Sequence, residues 1–183
     1  FVISNLGHFE LLQNYRNNYE FICNYTFNVF NDLTASELPV DILTLSPELN
    51  KSDLQEFKTL KNTELIVYGN TPLMNSNYCL LGKTNKCYSS CKHYCINAIN
   101  KKYYLKDRVG FNFRIIPDNI ETVTTIYNSK ITSIPVENLG FSSYRIDILD
   151  EDIEKINLVI NTVKSGSRLE GSEFTNGNFN REV

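Results

Sequence analysis

The sequence is poor in several residues on which familiar chemistry depends. Histidine occurs twice, as His8 and His93. A hydrolytic triad or a cysteine–histidine pair needs a histidine beside its nucleophile, and the spacing selects no such arrangement. No apolar run approaches the roughly 20 residues that cross a bilayer, so no membrane association is expected. No basic-then-apolar leader opens the chain, so nothing argues for export. Met74 is the single methionine, and the chain begins Phe1-Val2-Ile3-Ser4, which already reads as a strand. A fragment that starts mid-domain is expected.

What is present is an ordinary globular composition, 42% hydrophobic and 21% charged over 183 residues, enough for one sizeable core. The net charge of −3 hides an asymmetry. Residues 1–82 carry 4 basic and 9 acidic side chains, residues 83–130 carry 9 and 3, and residues 131–183 carry 5 and 9. The basic middle favours an anionic partner such as RNA or a small carboxylate substrate. The competing interpretation is a solvated lysine-rich loop whose charge offsets nearby thiolates. Five cysteines without an export signal point to a reducing, cytoplasmic compartment, where thiols serve metals or catalysis more often than disulfides.

The first third repeats. Apolar runs begin near positions 1, 21, 41 and 64: Phe1-Val2-Ile3, Phe21-Ile22-Cys23, Ile42-Leu43-Thr44-Leu45 and Leu65-Ile66-Val67-Tyr68. Helical patterns separate them, over Leu6 to Leu12, Asn31 to Leu38, and a third expected to open at Ser46-Pro47-Glu48 and to carry Leu54, Phe57 and Leu60. Continuous apolar strands alternating with helices imply a parallel sheet covered on both faces. Four such units are half of a (β/α)8 barrel or a small open sheet, and the half-barrel is favoured. Polar residues follow the strands: Asn5; Asn24, Asn28 and Asn31; Ser46 and Glu48; Gly69 and Asn70. Strand C-termini face the active site in such folds. For most of these asparagines a cap or turn explains them as well, and Glu48 suits the first turn of a helix.

After Gly69 the pattern changes. Residues 70–102 read as loop. Strands are expected at 103–105, 111–116, 123–127 and 144–148. A helix is expected over 150–164, capped by Asp150, with Glu151, Asp152 and Glu154 in its first turns. A polar tail follows from Ser165. The segments expected are thus a half-barrel over 1–70, a cysteine-containing α+β extension over 71–165 and an extended tail over 166–183.

The cysteines concentrate the chemistry. Cys79, Cys87, Cys91 and Cys95 lie in one basic stretch. Iron–sulfur clusters take several thiolates from flexible loops and tolerate irregular spacing. Structural zinc prefers paired knuckles, which Cys87, Cys91 and Cys95 could offer with Cys79 or His93 completing the set. The third alternative is four free thiols without metal. Cys23, inside an apolar run, reads as a core thiol.

The segment Glu64-Leu-Ile-Val-Tyr-Gly-Asn-Thr-Pro-Leu-Met-Asn-Ser-Asn-Tyr-Cys79 resembles the hallmark of the collagenase-like peptidases, family thirty-two among peptidases of unknown catalytic type. Its characteristic positions here are Glu64, Tyr68, Gly69, Met74 and Cys79. Tyr104-Leu-Lys-Asp-Arg108, residues 113–118, Ile126-Tyr-Asn-Ser-Lys130 with Asn128 and Ser129, Tyr144-Arg-Ile-Asp147 and Phe174-Thr-Asn-Gly-Asn-Phe-Asn-Arg181 are similar in order. Upstream, Phe27-Asn-Val-Phe-Asn31 and Leu45-Ser-Pro-Glu-Leu49 are similar too. The resemblance implies the C-terminal half of the family's barrel, with Cys79, Cys87 and a cysteine shortly after, Cys91, as cluster ligands. It implies either a peptidase acting on protein substrates such as collagen, or oxygen-independent hydroxylation of RNA or quinone precursors by a four-iron four-sulfur enzyme, with prephenate as hydroxyl donor in the RNA branch.

Two departures stand out. Family members carry a further cysteine just before the Tyr-Asn-Ser motif, whereas residues 121–125 hold none, so Cys95 would have to supply the fourth ligand. Asn178 stands where a histidine is usual. Candidate catalytic or positioning groups are Glu48, Asp107 and Arg108; Arg108 could grip a carboxylate bidentately, or pair structurally with Asp107. Three functions compete: an iron–sulfur hydroxylation enzyme, a peptidase, and a non-enzymatic zinc or RNA-binding module.

Overall fold

The computed structural model describes residues 1–57, 62–84, 101–118 and 123–181. Along the chain the elements are β1 (Val2–Ile3), α1 (Leu6–Leu12), β2 (Ile22–Cys23), α2 (Asp32–Glu37), β3 (Ile42–Thr44), α3 (Lys51–Glu56), β4 (Thr63–Gly69), β5 (Pro72–Ser76), α4 (Leu80–Thr84), β6 (Tyr103–Lys106), β7 (Asn112–Pro117), β8 (Thr124–Tyr127), β9 (Ile131–Ser133), β10 (Ser143–Ile146), α5 (Ile153–Lys164) and β11 (Phe174–Thr175). Two compact units result: Phe1–Gly69 with Thr132–Val183, and Asn70–Ile131. The sequence-drawn segment 71–165 runs through both.

The first unit is built on the repeat. β1, β2, β3 and β4 pair in chain order, all parallel, and β10 adds a fifth parallel strand on β4. The register follows the sequence period: Val2 pairs Ile22, Ile22 pairs Ile42, and Leu43 pairs Thr63. Near its C-terminal end β4 also pairs antiparallel with β9, Tyr68 against Ser133 and Gly69 against Thr132. The sheet is α/β in kind. Among the described residues it does not close on itself, since β1 ends it.

Alternation then divides the sheet into two faces. Cys23, Leu43, Leu65 and Val67 share one face. They pack in one apolar cluster with Leu54, Phe57, Ile134, Phe141 and Phe179, joined by Tyr144 and Ile146 of β10 and Val163 of α5. Cys23 is a core thiol, and burial pushes its pKa up to about 11. The opposite face carries Ile22, Ile42 and Ile66, all half-buried, together with Thr44 and Glu64.

Several expected boundaries move. The third helix opens at Asn50, not at Ser46: Asn50 Oδ1 accepts the Ser52 and Asp53 amides, and Asp53 answers with a bond from the Asn50 amide. This reciprocal box satisfies more orphan amides than the Ser46-Pro47-Glu48 signal can. The last helix is capped by Asp152, which accepts the Lys155 amide at 2.8 Å, and not by Asp150. Residues 70–84 are not loop; they hold β5 and α4. β9 and β11 were not expected. Among the asparagines after the strands, Asn5, Asn24 and Asn31 each cap the next helical turn.

The Asn70–Ile131 unit is a four-stranded antiparallel sheet in the order β5-β8-β7-β6. β6 and β7 form a hairpin whose turn is tied by Asp107. Its Oδ1 accepts the amides of Val109, Gly110 and Phe111 at 2.9, 2.7 and 2.9 Å.

One ion pair staples the first two βα units. Arg16 donates to Asp41 at 2.6 Å, and the same Asp41 oxygen accepts the Phe21 amide at 2.7 Å. These bonds hold the Asp41 carboxyl below its ordinary value of 3.8, the Phe21 amide first and Arg16 second. A depressed carboxylate stabilises above its unfolded pKa, and that contribution is lost as pH falls through the folded value. Asp41→Asn is therefore expected to lower Tm by about 1–3 °C at neutral pH, a surface-pair effect. The difference from wild type should shrink below pH 3.8. Calorimetry at the two pH values checks this, and a difference that grows in acid contradicts it.

Candidate functional site

The twenty-residue period places one polar residue in or just after each of the first four strands: Ser4, Asn24, Thr44 and Glu64. Thr44 and Glu64 are register partners, and Thr44 Oγ1 donates to Glu64 Oε1 at 2.8 Å. Asn24 Nδ2 donates to Ser4 Oγ at 3.3 Å. On the far side of β4, β10 adds Ser143, which pairs with Glu64, and Arg145, which pairs with Ile66.

Arg145 ties the row together. Its Nε donates to Asp147 Oδ1 at 2.6 Å and its Nη1 donates to Asn24 Oδ1 at 3.0 Å. Asn24 follows β2 and Arg145 lies on β10, so three strand intervals, about 14 Å on a flat sheet, separate them. Side chains stand roughly perpendicular to a sheet. Arg145 instead leans across β4 and β3 to meet Asn24. Ser4, Asn24 and Thr44 lie at the C-terminal ends of β1, β2 and β3, whereas Glu64 and Ser143 lie at the starts of β4 and β10. Thr44 is 1% exposed, while Glu64 and Arg145 are half-buried. Ser143 Oγ is buried with no hydrogen-bond partner among the described residues, which leaves a donor and an acceptor beside Glu64 for a water or a ligand.

The Tyr68-Gly69 pair of the sequence motif holds the turn that follows β10. The Asp147 amide donates to the Tyr68 carbonyl at 2.9 Å. Gly69 has φ +142°, and a Cβ there would sit 2.7 Å from the Asp147 carbonyl oxygen. Tyr68, 1% exposed, donates its hydroxyl to Glu151 Oε1 at 2.9 Å. Glu151 Oε2 accepts the Leu149 and Asp150 amides at 2.8 and 3.0 Å. Glu151 is thus not a first-turn helix acid; it clasps the turn after β10 that carries Asp147. Burial, then the Glu151 bond, raises the Tyr68 pKa.

The other sequence candidates fall elsewhere. Glu48 is exposed in the turn before α3, its amide bonded to Ser46 Oγ, and Ser46 in turn donates to Asn28 Oδ1. Asp107 is occupied by the hairpin amides, and Arg108 is exposed beside it at the turn. Met74 is exposed on β5. Asn128 bonds the Thr71 carbonyl through its amide, the Lys130 amide through Oδ1 and the Asn70 side chain through its carbonyl, which fixes one end of the antiparallel sheet; Ser129 follows it. Cys79 is exposed just before α4, and its sulfur accepts the Gly82 amide at 3.2 Å. An N–H···S bond to an accessible sulfur suits a thiolate ligand. Cys87, Cys91, Cys95 and His93 lie outside the described residues, as do Glu121 and Thr122. Among the described residues no group of three or more His, Cys, Asp or Glu converges on a common point. His8 is occupied locally: its Nδ1 accepts the Ser4 amide, and Nε2 contacts Asn5 Nδ2.

Arg145, Asp147 and Ser143 were legible only as parts of a motif or a strand. Their meeting with Asn24, across 121 residues of sequence, had no local signal.

No family model, no curated protein and no solved structure was found to match this chain. No described helix is long and apolar enough to cross a membrane.

Proposed function

We propose that the chain is part of a (β/α)-barrel enzyme of the collagenase-like peptidase type, whose chemistry is iron–sulfur-dependent hydroxylation of RNA or of a small precursor. The observation that carries the reading is the Arg145–Asn24 bond across the parallel sheet. It supports a polar contact near the C-terminal ends of β2 and β10, the end of the sheet at which barrel enzymes place their sites. Five parallel strands, four of them in chain order, are what part of such a barrel would present.

In this reading Cys79, Cys87, Cys91 and Cys95 hold a four-iron four-sulfur cluster, with zinc as the alternative metal. The cluster, when bound, supplies redox or Lewis-acid chemistry. The chain's own residues orient the substrate. Glu64 and the unpartnered Ser143 hydroxyl offer an acceptor and a hydroxyl. Arg145, held by Asp147 and Asn24, turns part of its guanidinium fork toward a carboxylate donor such as a prephenate-like acid. Glu48, Asp107 and Arg108 are left to turn and hairpin geometry. The peptidase alternative needs a nucleophile beside a histidine, and the bonds of His8 to the Ser4 amide and Asn5 do not favour it.

Cysteine substitution tests the reading. After anaerobic reconstitution with iron and sulfide, Cys79→Ser is expected to lose most of the bound iron. Cys95→Ser should do the same, because Cys95 replaces the ligand missing from 121–125. Undiminished iron in Cys79→Ser would remove the assignment. One tightly held zinc per chain, insensitive to reductant, would instead favour the non-enzymatic module.

A further inference from the structure

The charge asymmetry of the sequence coincides with a structural unit. All nine lysines and arginines of residues 83–130 fall in the Asn70–Ile131 unit with only three carboxylates, a balance of +6, while the rest of the chain carries −9. One of the three carboxylates, Asp107, is turned onto backbone amides.

The antiparallel sheet of this unit has two unlike faces. Ile115 pairs with Ile126, and both are buried. The other face carries Tyr104 paired with Arg114, and Lys106 paired with Asn112. Ile116 paired with Thr125 continues it. Tyr104 is 51% exposed, and Lys106 and Asn112 are exposed as well. The Arg114 guanidinium lies 5.8 Å from the Tyr104 ring centroid and is anchored on the Tyr103 and Ile115 carbonyls at 3.4 and 2.6 Å. An exposed ring, held beside a cation on a rigid sheet with a lysine on the same face, combines the two elements of single-strand recognition. The ring stacks a base, and the cations meet phosphates. An acidic protein partner would use the charge but not the presented ring.

We propose that the Tyr104–Lys106–Arg114 face of this sheet binds single-stranded RNA. The choice of RNA over DNA rests on the hydroxylation reading above; the face itself does not depend on the cluster. Its role is to hold the nucleic acid by base stacking on Tyr104 and by phosphate contact at Lys106 and Arg114.

Fluorescence anisotropy with a labelled oligoadenylate RNA of about 12 nucleotides, a length single-strand sites of this kind cover, tests this on the whole chain. Tyr104→Ala is expected to weaken binding about tenfold, as loss of one stacked base does. Tyr104→Phe, which keeps the ring and guards against a folding artefact, should bind within about twofold of wild type, since stacking needs the ring alone. Lys106→Ala should flatten the dependence of log affinity on log salt by about 0.7, one phosphate contact. Full-strength binding by Tyr104→Ala with a native circular-dichroism spectrum overturns the proposal. So does wild-type protein that ignores RNA but binds a polyglutamate peptide. Equal affinity for the matching DNA overturns the assignment to RNA. Iron content of the same samples is read separately, so absent RNA binding with a formed cluster defeats this proposal alone, and RNA binding without a cluster defeats only the enzymatic reading.

Discussion

Gly69→Ala is expected to destabilise the parallel unit by roughly 2–4 kcal/mol, because it combines a strained positive φ with overpacking. The new Cβ would meet the Asp147 carbonyl oxygen at 2.7 Å and the Asp147 Cβ at 2.8 Å. Neither is the far end of a flexible side chain, so β10 must move away from β4. The Asp147 amide bond to the Tyr68 carbonyl is then stretched, and Arg145 loses the partner that aims it at Asn24. Gly140→Ala supplies the comparison. Its φ is +78° but nothing lies within 4 Å of the added carbon, so it should cost only about 1 kcal/mol, the conformational part. Urea unfolding of both variants checks this. Equal costs would mean that the close approach of Asp147 is not what demands glycine at position 69.

Glu151→Ala should cost about 2–3 kcal/mol, chiefly the penalty for orphaning the buried Tyr68 hydroxyl. The Tyr68 hydroxyl is left in a site from which water is nearly excluded, and the Leu149 and Asp150 amides lose their acceptor. Tyr68→Phe alone should cost about 1 kcal/mol. Together with Glu151→Ala it should cost less than the sum, because one bond is removed twice. Strict additivity in this double-mutant cycle contradicts the clasp. The pH dependence has a fixed sign. Tyr68 binds its proton more tightly folded than unfolded. Its contribution is full below the ordinary tyrosine value of 10.0 and is lost as pH rises from there through the folded value. Tyr68→Phe should therefore flatten alkaline destabilisation above about pH 10.

The parallel sheet was legible because its strands are continuous apolar runs that recur every twenty residues; Ile3, Cys23 and Leu43 are one residue seen three times. That same period sets Ser4, Asn24, Thr44 and Glu64 in a row, although each residue alone reads as a cap or a strand end. Helix α3 was misplaced because Ser46-Pro47-Glu48 resembles a start signal, while the Ser46 hydroxyl is bound by Asn28 and the adjacent Glu48 amide. β5 was hidden because it opens with Pro72 and ends in Asn75-Ser76. It is an edge strand, where proline is tolerated. β9 and β11 are three and two residues long, too short for a period to register. The bond from Arg145 to Asn24 joins strands three intervals apart in the sheet, a meeting that no local pattern encodes.

Iron and acid-labile sulfide, measured with the visible spectrum after anaerobic reconstitution of the wild-type protein, test the central claim most directly. The account predicts about four irons and four sulfides per chain, with a broad charge-transfer band that bleaches on reduction. Colourless protein that holds no iron, with its fold intact by circular dichroism, would contradict it.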